Sequence, residues 1–235
     1  MVYGHLIENS FLNVIIMEIQ RKFIDAGSYK VPCVMFMPYS ASGAVVIVHG
    51  YGGSKEEQLG LAWRVAETGL ATCAIDLRGH GEHVLPLDLN VPDDIEAAIR
   101  HCRSFGKVIV IGHSMGGRMA LLSSADSVIA LSPAVCPTYG PAIHKIIESW
   151  SHKVREPSKA FCFDVLEKLP AWRPDGKRRT LIIYGSRDMP EIARGCQKLK
   201  ELGVPAVEIA HGLHSDIFLL EPTIDAVKAE LSRMF

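Results

Sequence analysis

Three side chains far apart in the chain, Ser114, Asp188 and His214, have the types that together turn a hydroxyl into a nucleophile. A serine hydroxyl reacts poorly with acyl carbon at neutral pH. It needs a base within hydrogen-bond reach, and the base needs an orienting carboxylate. Ser114 lies in Gly112-His113-Ser114-Met115-Gly116, a G-x-S-x-G pattern. Before it stands Val108-Ile109-Val110-Ile111, an apolar β-branched run that reads as a strand buried on both faces. After it, Arg118-Met119-Ala120-Leu121-Leu122 favours helix. A sharp strand-to-helix turn strains the serine and crowds positions two residues to either side, so glycine is expected at 112 and 116. The serine then opens a helix whose positive end favours developing negative charge, with the Met115 N–H aimed at the attacked atom.

The candidate partners lie at the ends of later strands. Thr180 to Tyr184 is an apolar run followed by Gly185-Ser186-Arg187-Asp188, and Val204 to Ile209 precedes His211-Gly212-Leu213-His214. His214 is favoured over His211 because it sits deeper in the loop, after a glycine. Asp175 precedes its strand and Asp216 follows the histidine, so both are weaker candidates than Asp188. The loop His49-Gly50-Tyr51-Gly52-Gly53 after an early strand is rich in glycine and lacks the lysine and spacing of a phosphate-binding loop. His80 and His83 have no third ligand at a suitable spacing, so no metal site is expected, and His49 and His113 read as local structural residues.

The elements that must hold these groups alternate. Strands are expected at 13–20, 29–37, 44–48, 71–75, 108–111, 128–131, 180–184 and 204–209, and helices at 56–68, 92–104, 191–202 and 221–234. Pro92 with Asp93 and Asp94 suits a helix start. Such alternation implies a mostly parallel sheet with helices on both faces.

These motifs, in this order from about Gly43 onward, resemble the α/β-hydrolase family. The resemblance implies an α/β-hydrolase fold with a core of residues 1–136 and 179–235 and a short helical cap over 137–178. It implies a serine carboxylesterase in which Ser114, His214 and Asp188 form the triad and Tyr51 and Met115 the oxyanion hole, with no cofactor. An acyl-CoA thioesterase, a lysophospholipase or a monoacylglycerol lipase are alternatives within the class. Serine at 114 argues against the dehalogenases and epoxide hydrolases, which use aspartate.

Composition narrows the class. The 235 residues carry a net charge of −1, which gives no reason to expect nucleic acid, and 48% are hydrophobic, enough for one cored domain. No apolar run reaches bilayer length, and the N-terminal stretch, broken by Asn9 and Asn13, lacks the pattern of a secretory leader, which points to the cytoplasm. The six cysteines show no C-x-x-C and read as reduced core thiols. Scarce Asn and Gln hint at a thermophilic source. The segment 137–178 holds eight basic and five acidic residues, which suggests a small acyl ester or thioester substrate that is anionic, such as an acyl-CoA. Trp150, Phe161, Phe163 and Trp172 either line an acyl pocket or pack the cap on the body.

Overall fold

The computed structural model describes residues 17–174 and 176–235. The expected strand residues 13–16, the reading of the N-terminal stretch and the candidate Asp175 lie outside the described residues. In chain order the elements are β1 (Met17–Asp25), β2 (Lys30–Pro38), β3 (Ala44–Val48), α1 (Leu59–Ala66), β4 (Ala71–Ile75), α2 (Pro92–Cys102), β5 (Val108–His113), α3 (Ser114–Leu122), β6 (Ser127–Leu131), α4 (Pro141–Trp150), α5 (Cys162–Lys168), β7 (Arg179–Gly185), α6 (Pro190–Glu201), β8 (Ala206–Ile209) and α7 (Glu221–Met234).

The strands form one sheet in the order β1-β2-β4-β3-β5-β6-β7-β8. The β1–β2 and β2–β4 pairs are antiparallel, and every pair from β4 to β8 is parallel. Parallel strands need crossovers, and helices supply them. Both faces are therefore covered. Val46, Val110, Val128 and Ile182 enter one apolar layer with Ile95, Met119 and Ile192 of α2, α3 and α6, while Val45, Ile109, Ile129 and Leu181 enter the other with Val65 and Val227 of α1 and α7. Burial on both faces is why these strands read as unbroken apolar runs rather than alternating ones.

Several boundaries differ from the sequence expectation, the first strand running to Asp25 rather than 20, and two of the differences have a visible cause. The helix expected from 56 begins as a 3-10 turn, Lys55–Gln58, and continues as α1. This tight turn carries Lys55 to Asp76 at the end of β4, where its N–H and Nζ donate to the carboxylate at 2.8 and 2.6 Å. The last strand starts at Ala206 rather than Val204, because the Val204 N–H closes α6 by donating to Leu199 O at 3.1 Å. Segment 137–178 carries α4 and α5, and Ile143, Ile147 and Val165 bury against the layer that holds α2, α3 and α6. Among the described residues no helix is long and apolar enough to cross a membrane.

Candidate active site

The parallel strands end at one rim, and the loops leaving that rim carry the chemistry. β5 runs directly into α3 at Ser114, which adopts φ +54°. A non-glycine residue holds such a backbone only where its surroundings dictate it. They do here: a Cβ at Gly112 would stand 2.4 Å from Gly116 O, and one at Gly116 would stand 2.4 Å from His49 O. The elbow closes only because both positions lack side chains.

The structure brings the three sequence candidates together. His214 Nε2 lies 2.9 Å from Ser114 Oγ, and His214 Nδ1 lies 2.8 Å from Asp188 Oδ1. A carboxylate accepts, so Nδ1–H is the donor and Nε2 is free to accept the serine proton. Asp188 and His214 are buried, and Ser114 is half-buried. Asp188 receives two further bonds, from Met189 N–H to Oδ1 at 2.7 Å and from Ser132 Oγ–H to Oδ2. Burial works to raise the Asp188 pKa, but the bonds from His214, Ser132 and Met189 outweigh it, and the carboxyl stays below its ordinary range. The competitors stand elsewhere. His211 is exposed with φ +62°, its N–H donating to Ser186 Oγ at 2.8 Å, and Asp216 Oδ1 accepts the Leu213 N–H at 2.8 Å.

Two histidines that the sequence marked as structural hold this array. His113 Nε2–H donates to His214 O at 2.8 Å, which fixes the main chain of the histidine loop. Burial, then the neighbouring His214, pushes the His113 pKa down to about 3, so the ring is neutral. His49 accepts the Leu77 N–H on Nε2 at 3.1 Å and donates Nδ1–H to Gly50 O at 2.7 Å; burial pushes its pKa down to about 4.

Sequence reasoning missed the parts played by Ser132 and the Tyr51 side chain, and gave the stretch that holds His80 only a general structural role. Ser132 directly follows β6, which pairs with β7, the strand before the Asp188 loop; its place after an apolar strand, between the elbow and acid strands, was the available signal. His80 accepts the Gly52 N–H on Nε2 at 3.1 Å and donates Nδ1–H to Arg78 O at 3.0 Å, so both of its nitrogens are occupied. The Tyr51 side chain is the other. Its hydroxyl donates to Glu156 at 2.7 and 2.8 Å and lies 3.0 Å from Ser151 Oγ, tying the glycine-rich loop to segment 137–178. Nothing in the local sequence predicts a partner 105 residues away.

In the glycine-rich loop the Gly52 N–H is taken by His80 and the Gly53 N–H by Gly50 O at 3.1 Å. The N–H groups of Tyr51 and Met115 find no acceptor among the described residues. Two cavities meet at Ser114. The larger, about 490 Å³, is lined by Gly50–Gly53, His113, Trp150, Lys153, Phe218 and Leu219, among others. The smaller, about 30 Å³, lies among Met115, Tyr139, Ile143, Ile147, Phe163 and Leu166, among others. Of the aromatic residues singled out in 137–178, Trp150 faces the larger cavity and Phe163 the smaller, whereas Phe161 and Trp172 pack on the core. Of the eight basic residues there, Lys153 alone lines either cavity. Among the described residues no cluster of His, Cys, Asp and Glu has the arrangement of a metal site.

Comparison with known proteins agrees with this geometry at the level of family and fold. A model of the α/β-hydrolase family matches residues 45–191. Ethanol acetyltransferase 1 of Kluyveromyces marxianus is 30% identical over 175 residues, covering 66% of this chain and 47% of its own length. The chain thus spans about half the length of that relative. Est1E of Butyrivibrio proteoclasticus, solved with ferulic acid bound, is 19% identical and superposes with a TM-score of 0.70 over 91% of this chain and 97% of its own. A hyperthermophilic esterase from the archaeon Pyrobaculum calidifontis, also 19% identical, gives 0.69 over 92% and 86%.

Proposed function

This chain belongs to the α/β-hydrolase family, and on that premise we propose that it is a carboxylic ester hydrolase working through an acyl-enzyme. The observation that carries the reading is the unbroken relay from Ser114 Oγ through His214 to Asp188, with its serine end at a cavity of ligand size. Ser114 Oγ attacks the carbonyl carbon while His214 Nε2 takes its proton. Asp188 holds the tautomer and stabilises the imidazolium. The oxyanion is received by the Tyr51 and Met115 N–H groups, with the end of α3 adding its dipole. The imidazolium then protonates the departing alkoxide, and water repeats the sequence in reverse to free the acid. No cofactor takes part in any of these steps. Segment 137–178 acts as a cap on a core of 1–136 and 179–235. A Cβ at Gly52 would lie 3.3 Å from Trp150 Cβ, so the end of α4 rests on the anion-binding loop.

The test is hydrolysis of p-nitrophenyl acetate by the wild-type chain and by Ser114→Ala and His214→Ala. Both variants should lose about 10³-fold or more in kcat while keeping their circular dichroism. Turnover that survives in Ser114→Ala would remove the reading. A second reading is acyl transfer to an alcohol, favoured by the 30% identity to a protein named ethanol acetyltransferase. The same acyl-enzyme serves both, since ethanol in place of water yields an ester. Ethyl ester formed in proportions above those of ethanol in the solvent separates the two, as does an acyl-CoA donor for the thioesterase alternative.

A further inference from the structure

The two cavities that meet at Ser114 differ in size and in the exposure of the residues that line them, and that difference has a chemical meaning. In an acyl-transfer cycle the acyl group stays fixed to the serine while the leaving group departs and the acceptor enters. The part that stays is suited by a closed chamber, and the part that leaves by an open one. The small chamber has no exposed residue in its lining; Met115, Ile143, Ile147 and Ile192 are buried, and Tyr139, Phe163 and Leu166 are half-buried. The large cavity runs out between Glu57, Lys153, Ser215 and Leu219, which are exposed. His214, which gives the leaving oxygen its proton, lines both cavities, and the large one runs on along Ser215, Phe218 and Leu219 beyond it.

The size of the small, buried-lined chamber sets a limit on the acyl chain. An apolar cavity of about 150 Å³ holds a six-carbon ring, or roughly 25 Å³ for each carbon. The chamber measures about 30 Å³, the space of one methyl group. Its wall is built by α4 and α5, with Phe163 stacked on His144 at a centroid distance of 4.0 Å and tilted against Tyr139 at 5.6 Å, which leaves little slack behind the ring.

Resting on the ester-hydrolase reading above, we propose that the acyl group of the substrate is acetyl, that the chamber walled by Ile143, Ile147, Phe163 and Leu166 excludes longer chains, and that the alcohol side is large and loosely specified. Ser114 Oγ adds to the acetyl carbon as its proton passes to His214. The bond to the alkoxide breaks, the alkoxide takes that proton and leaves as alcohol, and an acetyl ester remains on Ser114. Water then adds, acetic acid departs, and the serine recovers its proton through His214.

The experiment measures kcat/KM for p-nitrophenyl acetate, butyrate and hexanoate with the wild-type chain, Phe163→Ala and Leu166→Ala. A second arm measures acetate esters of methanol, butanol and 1-naphthol. Each excess methylene in a closed apolar pocket costs about tenfold or more, so butyrate should fall at least about 10²-fold below acetate, and hexanoate further. Either alanine variant should raise the butyrate-to-acetate ratio by about tenfold, and the alcohol arm should vary by less than about tenfold. Hexanoate turned over as fast as acetate would overturn the proposal, as would a ratio unchanged in both variants. If no ester is turned over and a fluorophosphonate probe leaves Ser114 unlabelled, the ester-hydrolase reading falls with it. Labelling with fast turnover of long esters overturns the chamber alone.

Discussion

Lowering the pH from 7.5 to 5 should cost this protein most of its stability, through three histidines that fold neutral. Burial is the main cause in each case, and it pushes His49 down to about 4 and His80 and His113 to about 3, from an ordinary 6.5. The sign follows from proton counting. Between the native and unfolded values the unfolded chain binds the proton and the native chain does not, so stability rises with pH in that window and is lost as pH falls. Each fully displaced histidine contributes a slope of about 1.4 kcal/mol per pH unit, so three give about 4. Integrated down to pH 5, each histidine removes about 2 kcal/mol and the three about 6, against a whole-domain stability of about 5–15 kcal/mol. His101, half-buried, is shifted in the same direction by burial and adds to the slope. The lowered aspartates Asp94 and Asp188 begin to contribute only below about pH 4.5, whereas the lowered glutamates Glu56, Glu67 and Glu82 add a little in the same direction near pH 5. Urea unfolding followed by tryptophan fluorescence at pH 7.5, 6.5, 5.5 and 5.0 measures the slope directly. A free energy of unfolding that stays level from pH 6.5 to 5 would refute the reasoning, because it would mean that these rings accept protons in the folded state.

Other perturbations act on single contacts. Ser132→Ala removes one of the bonds that fix Asp188, so kcat for p-nitrophenyl acetate should drop about tenfold, or about 1.4 kcal/mol, with KM little changed; an unchanged kcat would make Ser132 a bystander. Tyr51→Phe takes the donor from Glu156 and loosens the glycine-rich loop, so both the melting temperature and kcat should fall, the stability by about 1–3 kcal/mol in urea titrations. Lys55→Met strands the buried Asp76 carboxylate, which Lys55 Nζ contacts at 2.6 Å, and should cost about 3–5 kcal/mol; the double variant Lys55→Met/Asp76→Leu should recover part of that loss.

The physical reasons for what could be read from the residues differ from element to element. Strands β3 to β7 were legible because burial on both faces forces unbroken apolar runs, and α7 because its amphipathic pattern runs from Glu221 to Met234 without interruption. Ser114, Asp188 and His214 were legible because each follows a strand at the rim where parallel strands end, and the glycines at 112 and 116 announce the elbow. The order of strands was not legible, since β4 lies between β2 and β3 through contacts distant in sequence. The burial of Lys55 was not legible either, because its partners Asp76 and Glu82 come from the loop after another strand. Ser132 and the Tyr51 hydroxyl act through partners 56 and 105 residues away, a distance over which local pattern carries no information. Of the basic residues in 137–178, Lys153 lines the larger cavity at Ser114, and the others lie outside both cavities there.

The most direct measurement is rapid mixing of the protein with p-nitrophenyl acetate, followed by acid quench and mass analysis of the peptide that contains residue 114. The expected result is a burst of about one p-nitrophenolate for each chain and one acetyl group on Ser114, both absent from Ser114→Ala. Acetyl found on another residue, or a burst that persists in Ser114→Ala, would contradict the central claim that His214 and Asp188 make Ser114 the nucleophile.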